Sequence, residues 1–285
     1  GAKVVDLEAY GMPPCLILKS DGATLYATRD LAAACYRHET YDFYKNLYVV
    51  AYQQNLHFKQ VFQVLELMGR DWAKDCVHVP FGMVSLEGAG ALSTRSGNVV
   101  FLEDVLNTAV EKAEKIIEAK SPDLEDKQAT ADAVGVGAVI FMALSTARIK
   151  DMVFSFDKAL NFDGETGPYL QYTYARAGSV VRKCGMAIDT DVEYSLLTDD
   201  ETDAVVTALN RYTTVLQDAA DKYEPSILAR YLIDLAQSFN RFYIGHRIAG
   251  EQPAVTKARL LLTDCVRRTL KNGMRLLLLQ APDKM

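Results

Sequence analysis

Two patterns of apolar spacing divide the chain. Up to about residue 160, short apolar runs alternate with stretches in which apolar residues recur every three or four positions; beyond it only the second pattern continues. Residues 15–18 (Cys-Leu-Ile-Leu), 47–51 (Leu-Tyr-Val-Val-Ala) and 77–84 read as buried strands, bounded by turn signals such as Ser20-Asp21-Gly22. Thr28 is a good N-cap for a helix carrying Leu31, Ala32, Ala33, Ala34 and Tyr36. Residues 53–69 predict an amphipathic helix with Phe58, Phe62, Leu65 and Met68 on one stripe and Gly69 as its stop. Strand, helix, strand, helix, strand in this rhythm predicts a parallel, doubly wound sheet, whose functional side chains belong at the strand exits: residues 26–30, 52–57 and Gly82 onward.

Residues 101–120 predict a charged amphipathic helix, 121–130 a polar connector containing Pro122, and 131–149 a closely packing helix rich in Ala and Gly. Thereafter Leu170, Tyr174, Ala177 and Val181 line one helical stripe, and Val205, Leu209, Tyr212 and Leu216 a second. Leu228, Tyr231, Leu235, Phe239 and Phe242 line a third, and residues 256–280 close the chain with Leu260, Leu270 and Met274. The expected organisation is an α/β domain over 1–160 and an all-α bundle over 161–285. The length of 285 residues and 49% hydrophobic content suffice for two cores.

Charge and cysteine usage narrow the setting. The five cysteines are widely spaced with no C-x-x-C, which excludes a disulfide framework or a zinc site and predicts buried thiols in a reducing compartment. The apolar run 134–144 is too short to span a bilayer, no charged-then-apolar leader opens the chain, and a soluble cytoplasmic protein is expected. The first residue is Gly1, which suggests a piece of something longer. A net charge of −6 hides an asymmetry: residues 189–203 hold seven carboxylates and no Lys or Arg, whereas residues 239–285 hold nine Lys/Arg against three Asp/Glu. A basic C-terminal face can meet phosphates even on an acidic chain.

Three groups of residues carry candidate chemistry. The loop from Gly88 through Gly90 to Gly97, with Ser93, Thr94, Arg95 and Ser96, reads as a phosphate clamp or as a solvated surface loop. Asp30, in the first turn of its predicted helix with Tyr26 four residues before it, either complements the helix dipole or grips a cationic group; Gln53, Gln54 and His57 sit at the next strand exit. Tyr169, Tyr172 and Arg176 share one helix face turned away from the apolar stripe, a pattern suited to stacking on unpaired bases and also to ordinary packing.

Five runs in order resemble arginyl-tRNA synthetase of bacterial type: Asp21-Gly22-Ala23-Thr24-Leu25-Tyr26-Ala27-Thr28-Arg29-Asp30, Gln53-Gln54-Asn55-Leu56-His57-Phe58, Phe81-Gly82-Met83-Val84, residues 92–100, and Glu165-Thr166-Gly167-Pro168-Tyr169-Leu170-Gln171-Tyr172. The resemblance covers nearly the whole chain and implies the second half of a Rossmann-like class I catalytic domain followed by a helical anticodon-binding domain. It implies that Tyr26, Asp30 and Gln54 recognise the arginine substrate, with Asp30 on the guanidinium. It places His57, Gly82 and Met83 around ATP, Met83 meeting the adenine through its backbone, and matches Ser93 and Arg95 to the Lys-Met-Ser-Lys-Ser loop that steadies the triphosphate. Tyr169, Tyr172 and Arg176 match the helix that touches tRNA-Arg. ATP with Mg²⁺, L-arginine and tRNA-Arg are the implied partners, no resident metal is implied, and a monomer is favoured for the full-length protein.

Two departures from the family pattern matter. Ala91 and Ser96 stand where many members carry lysines, and no His-Ile-Gly-His signature occurs; the four histidines, His38, His57, His78 and His246, offer no such spacing. Half of the ATP site is therefore missing, and these residues alone are expected to make no arginyl-tRNA. Rival readings are a non-catalytic tRNA- or RNA-binding module, and an unrelated nucleotide-binding α/β enzyme with a helical appendage. A truncated sheet would leave an open edge, through which copies could associate.

Overall fold

A computed structural model of the chain describes residues 1–88 and 100–285. The sequence-predicted phosphate-loop residues Ser93 and Arg95, with Ala91 and Ser96, lie outside the described residues. Two compact units account for the rest: residues 1–83 with 149–151, and residues 84–148 with 152–285.

In the first unit, β1 (Lys3–Val5) pairs antiparallel with β2 (Cys15–Leu18), and α1 (Tyr26–Tyr41) follows. Next, β3 (Asn46–Ala51) crosses through α2 (Asn55–Leu67) to β4 (Cys76–Phe81), its parallel partner from Asn46 opposite Cys76 to Ala51 opposite Phe81. The expected doubly wound sheet is thus realised only by β3 and β4, because β2 gives its hydrogen bonds to β1 instead. The core between α1, α2 and β2 holds Leu7, Cys15, Leu31, Ala34, Val61 and Leu65. Phe58 and Leu65 are buried as predicted, whereas Met68 is half exposed: α2 ends at Leu67, so Met68 lies past the last turn, and Val61 and Val64 complete the buried face.

Thr28 is not the cap of α1. The helix begins one turn earlier at Tyr26, with Leu25 as its extended N-cap residue, and the Thr28 hydroxyl donates to the Ile17 carbonyl of β2. That bond ties the first turn of the helix to the strand. The third predicted strand also splits: β4 ends at Phe81, and Val84–Leu86 forms a separate strand, β5, in the second unit.

The second unit joins β5 in parallel to β6 (Met152–Phe154), on either side of α3 (Leu102–Lys120) and α4 (Lys127–Ser145). Asp126 caps α4 by accepting from the Ala129 N–H at 3.2 Å, which draws the helix start into the stretch expected as a connector. The close packing expected of this helix is real: a Cβ on Gly135 would lie 2.6 Å from the Val110 backbone of α3. Among the described residues α4 is also the one helix long and apolar enough to cross a membrane; half of its apolar stretch is buried inside this unit, against α3, α6 and α9.

After α5 (Phe156–Ala159) come α6 (Gly167–Cys184), α7 (Asp200–Asn210), α8 (Tyr212–Asp221), α9 (Pro225–Gly245) and α10 (Pro253–Leu276). Thr166 caps α6 by accepting from the Tyr169 N–H at 3.2 Å, with Pro168 in the first turn. The predicted second stripe spans two helices, α7 and α8. Its phase survives the break because Arg211 between them keeps helical dihedrals (φ −78, ψ −12). Leu170, Tyr174, Leu232, Phe239, Leu260 and Met274 form the centre of the bundle, each nearly or fully buried.

Candidate arginine and RNA sites

In the first unit, Asp30 is the fifth residue of α1, so it lies beyond the turn where a carboxylate would complement the free N–H groups. Its Oδ2 instead sits 2.6 Å from His57 Nε2, in the first turn of α2. The Asp30 side chain is 35% exposed and the His57 side chain 21%, which leaves one flank of the carboxylate open. Tyr26 lies one turn before Asp30 on the same face of α1 and is 79% exposed. Gln54 is exposed in the short 3-10 turn that leads from β3 into α2. The structure therefore joins Asp30 to His57 by direct contact and sets Tyr26 and Gln54 on the elements that carry them.

Gly82, at the exit of β4, is pressed against the segment 149–151: a Cβ there would lie 2.1 Å from the Lys150 carbonyl oxygen. Any side chain would expel that segment. The next residue, Met83, donates its backbone N–H to Asp151 Oδ1 at 2.7 Å, so this donor is already engaged.

In the second unit, Tyr169, Tyr172 and Arg176 share a face of α6, but with different environments. Tyr169 packs against the core and its hydroxyl accepts from Asn240 Nδ2 at 2.8 Å. Tyr172 is 39% exposed. The Arg176 guanidinium lies 4.7 Å from the Tyr172 ring centre and 5.4 Å from that of Tyr243 on α9, and donates to Asn240 Oδ1 at 2.9 Å. Tyr172, Arg176 and Tyr243 line an open groove of about 350 Å³ together with Arg182 and Lys183. Flat rings, a clamped guanidinium and three further cations, Arg182, Lys183 and Lys284, against the one acidic side chain, Asp283, suit an unpaired, phosphate-linked base.

Among the described residues one further group, Asp199, Glu201 and His246, has metal-ligand types in reach of one another. His246 Nε2 is 3.0 Å from Asp199 Oδ1 and 3.7 Å from Glu201 Oε2. On the other side of the ring, Arg259 Nη2 lies 3.4 Å from Nδ1. The trio sits beside the N-cap of α7, where Asp199 also accepts from the Thr202 N–H at 2.7 Å and the Thr202 hydroxyl at 2.9 Å.

Comparison with known proteins gives these sites a context. Residues 1–156 match the catalytic domain of the class I tRNA synthetases (R). The chain belongs to that family. Residues 170–285 match the DALR anticodon binding domain, so a class I synthetase catalytic domain is followed here by a helical anticodon domain. The arginine–tRNA ligase of Halothermothrix orenii is 54% identical over 285 residues, and that of Clostridioides difficile 53%; each comparison covers the whole chain and 50% of the relative. The structure of Thermus thermophilus arginyl-tRNA synthetase superposes with a TM-score of 0.91 at 29% identity, over 100% of this chain and 54% of that one. The chain thus spans about half the length of the synthetases it matches.

Within this synthetase fold, three residues without a motif of their own hold the sites together: Asn240, Tyr243 and Asp151. Asn240 has no signal in the sequence: the helical period turns it away from the Leu228–Phe242 stripe of α9, and it is only half-buried. Asp151 has none either, since only tertiary packing brings it to Met83.

Proposed function

We propose that the chain works as part of an arginine–tRNA ligase, which attaches arginine to tRNA-Arg through arginyl-adenylate. The carrying observation is the series of an arginine-type catalytic match and a DALR match on one chain whose curated relatives are arginine–tRNA ligases. Residues 1–160 then belong to the catalytic domain and 161–285 to the anticodon-binding domain. The arginine carboxylate attacks the α-phosphate of ATP and pyrophosphate leaves; a hydroxyl of the tRNA 3′-terminal ribose then attacks the arginyl carbonyl, forming the ester and releasing AMP. Such a reaction depends on positioning and on stabilising charge as it grows, not on a covalent protein intermediate. Mg²⁺ enters with the ATP phosphates as part of the substrate.

In this reading Asp30 takes the substrate guanidinium, with Tyr26 and Gln54 completing the pocket. Gly82 and Met83 border the adenine; with the Met83 N–H held by Asp151, the backbone contact left to Met83 is its carbonyl, which can accept from adenine's exocyclic amine. Ser93 and Arg95 act on the triphosphate. Tyr172 and Arg176 contact the tRNA directly, while Tyr169 acts from the core side through Asn240. The enzyme is cytoplasmic and monomeric.

The test is ATP-dependent charging of tRNA-Arg by the complete ligase, run beside these 285 residues alone. The complete enzyme should charge with arginine only, and the 285 residues should not charge above background. Charging with another amino acid would refute the assignment, and charging by the shorter chain would refute the expectation that its ATP site is incomplete. A groove that reads RNA should bind tRNA-Arg over a transcript with an altered anticodon and lose that preference on changing Tyr172 and Arg176 together. Equal, strongly salt-dependent binding of both transcripts would reduce the groove to a basic surface.

A further inference from the structure

We infer that His57 is a positioning residue for Asp30: it fixes the plane of the carboxylate that receives the arginine guanidinium, and its contribution is to arginine affinity rather than to ATP. The inference rests on the proposed role of Asp30 as guanidinium partner.

The geometry is specific. Only 2.6 Å separates His57 Nε2 from Asp30 Oδ2, in the short range of charge-assisted hydrogen bonds. The terminal torsion of an aspartate is broad and soft, so an unsupported carboxylate turns freely, whereas a guanidinium fork requires both oxygens in one plane. An imidazole on one oxygen removes that freedom before the substrate arrives. His57 can serve as the fixed point because it is itself held: its ring meets Phe58 edge to face at 5.1 Å, and Phe58, 5% exposed, packs between Tyr48 and His78 of the β3–β4 sheet. The support therefore runs from sheet to Phe58 to His57 to Asp30.

The chemistry leaves room for the substrate. A carboxylate accepts about four hydrogen bonds, and His57 occupies one of them. Asp30 remains 35% exposed. On α1, Arg37 has its guanidinium over the Tyr48 ring at 5.6 Å, and no ion pair joins it to Asp30 among the described residues. An incoming guanidinium thus meets a carboxylate whose orientation is set and whose open flank no described cation fills.

The experiment measures arginine-dependent ATP–pyrophosphate exchange in the complete ligase carrying Asp30→Asn, His57→Phe or His57→Gln. Phe keeps the ring volume without the donor, and Gln restores an N–H near the place of Nε2. Asp30→Asn should raise KM for arginine by at least a hundredfold. His57→Phe should raise it about tenfold to a hundredfold, the loss expected for one hydrogen bond to a charged group, with KM for ATP moved by less than about threefold. His57→Gln should recover most of that loss. If Asp30→Asn leaves arginine affinity unchanged, the reading of Asp30 fails and takes this inference with it. If Asp30→Asn abolishes affinity while His57→Phe changes nothing, or raises KM for ATP instead, the inference alone is overturned. Should His57→Phe not fold, His57→Ala takes its place beside His57→Gln: a KM for arginine raised in Ala and recovered in Gln supports the role, and a KM left unchanged in Ala refutes it.

Discussion

Replacing Asn240 by Ala removes the side chain that joins the groove lined by Tyr172, Arg176 and Tyr243 to the bundle core. Its Oδ1 must face Arg176, because a guanidinium only donates, and this assigns Nδ2 to the Tyr169 hydroxyl at 2.8 Å and the Thr173 hydroxyl at 3.1 Å. Two neutral hydrogen bonds contribute about 1 kcal/mol each and the charged one about 1.5–3 kcal/mol when fully buried. Arg176 and Tyr169 are only partly buried and regain water, so we expect a net loss of about 2 kcal/mol in the urea unfolding of the helical unit. A double-mutant cycle with Arg176→Met, which keeps the aliphatic stem, should give a coupling of about 1 kcal/mol. The same Asn240→Ala change should weaken binding of the tRNA-Arg anticodon arm, because Arg176 loses the contact that holds it between Tyr172 and Tyr243. A coupling energy below about 0.3 kcal/mol would refute the idea that Asn240 organises Arg176.

Packing and titration give three further expected outcomes. Gly135→Ala places a methyl 2.6 Å from the Val110 backbone and should cost about 1–3 kcal/mol or more by forcing α3 and α4 apart, whereas Gly245→Ala, with open space around it, should be near neutral; thermal melting of the two variants checks the difference. At Asp199, burial raises the carboxyl pKa, but hydrogen bonds from the Thr202 N–H and hydroxyl and the nearby His246 outweigh it and hold the group below its ordinary value. Its stabilisation is therefore present above about pH 4 and lost as pH falls through the lower folded value, so Asp199→Asn should flatten the acid side of the stability–pH curve; an unchanged slope would refute this. Burial, with the charge of Asp75 adding to it and Arg37 opposing, pushes the Cys76 thiol up to about 11, so Cys76 should resist iodoacetamide at pH 8 until the chain is unfolded; rapid labelling of the native protein would contradict that environment.

Much of the fold is legible in local spacing. The 3.6-residue period places α2, α3 and α10 within a few residues of their observed bounds and puts two of the predicted stripes inside α6 and α9, since an amphipathic helix long enough to show several turns declares its own face. The strands of three residues, β1, β5 and β6, are too short to show any period, and only pairing makes them strands: β1 with β2, and β5 with β6. That is also why the pattern predicts a doubly wound sheet where the structure has separate pairs: alternation identifies a strand but does not say which neighbour takes its hydrogen bonds. Thr28 shows the same limit on a smaller scale, for a hydroxyl suited to capping a helix is equally suited to the β2 carbonyl that folding brings beside it.

The linear chain already dictates which residue types stand at each strand exit and helix face, and its runs suffice to suggest the synthetase family. Which of those residues meet is settled only in three dimensions. Asp30 and His57 are 27 residues apart, and Arg176 and Asn240 are 64 apart. Each pair is joined by helix packing that no local pattern encodes, because the hydrophobic effect that brings the helices together is non-directional and leaves the choice of polar partners to the geometry of the packed state.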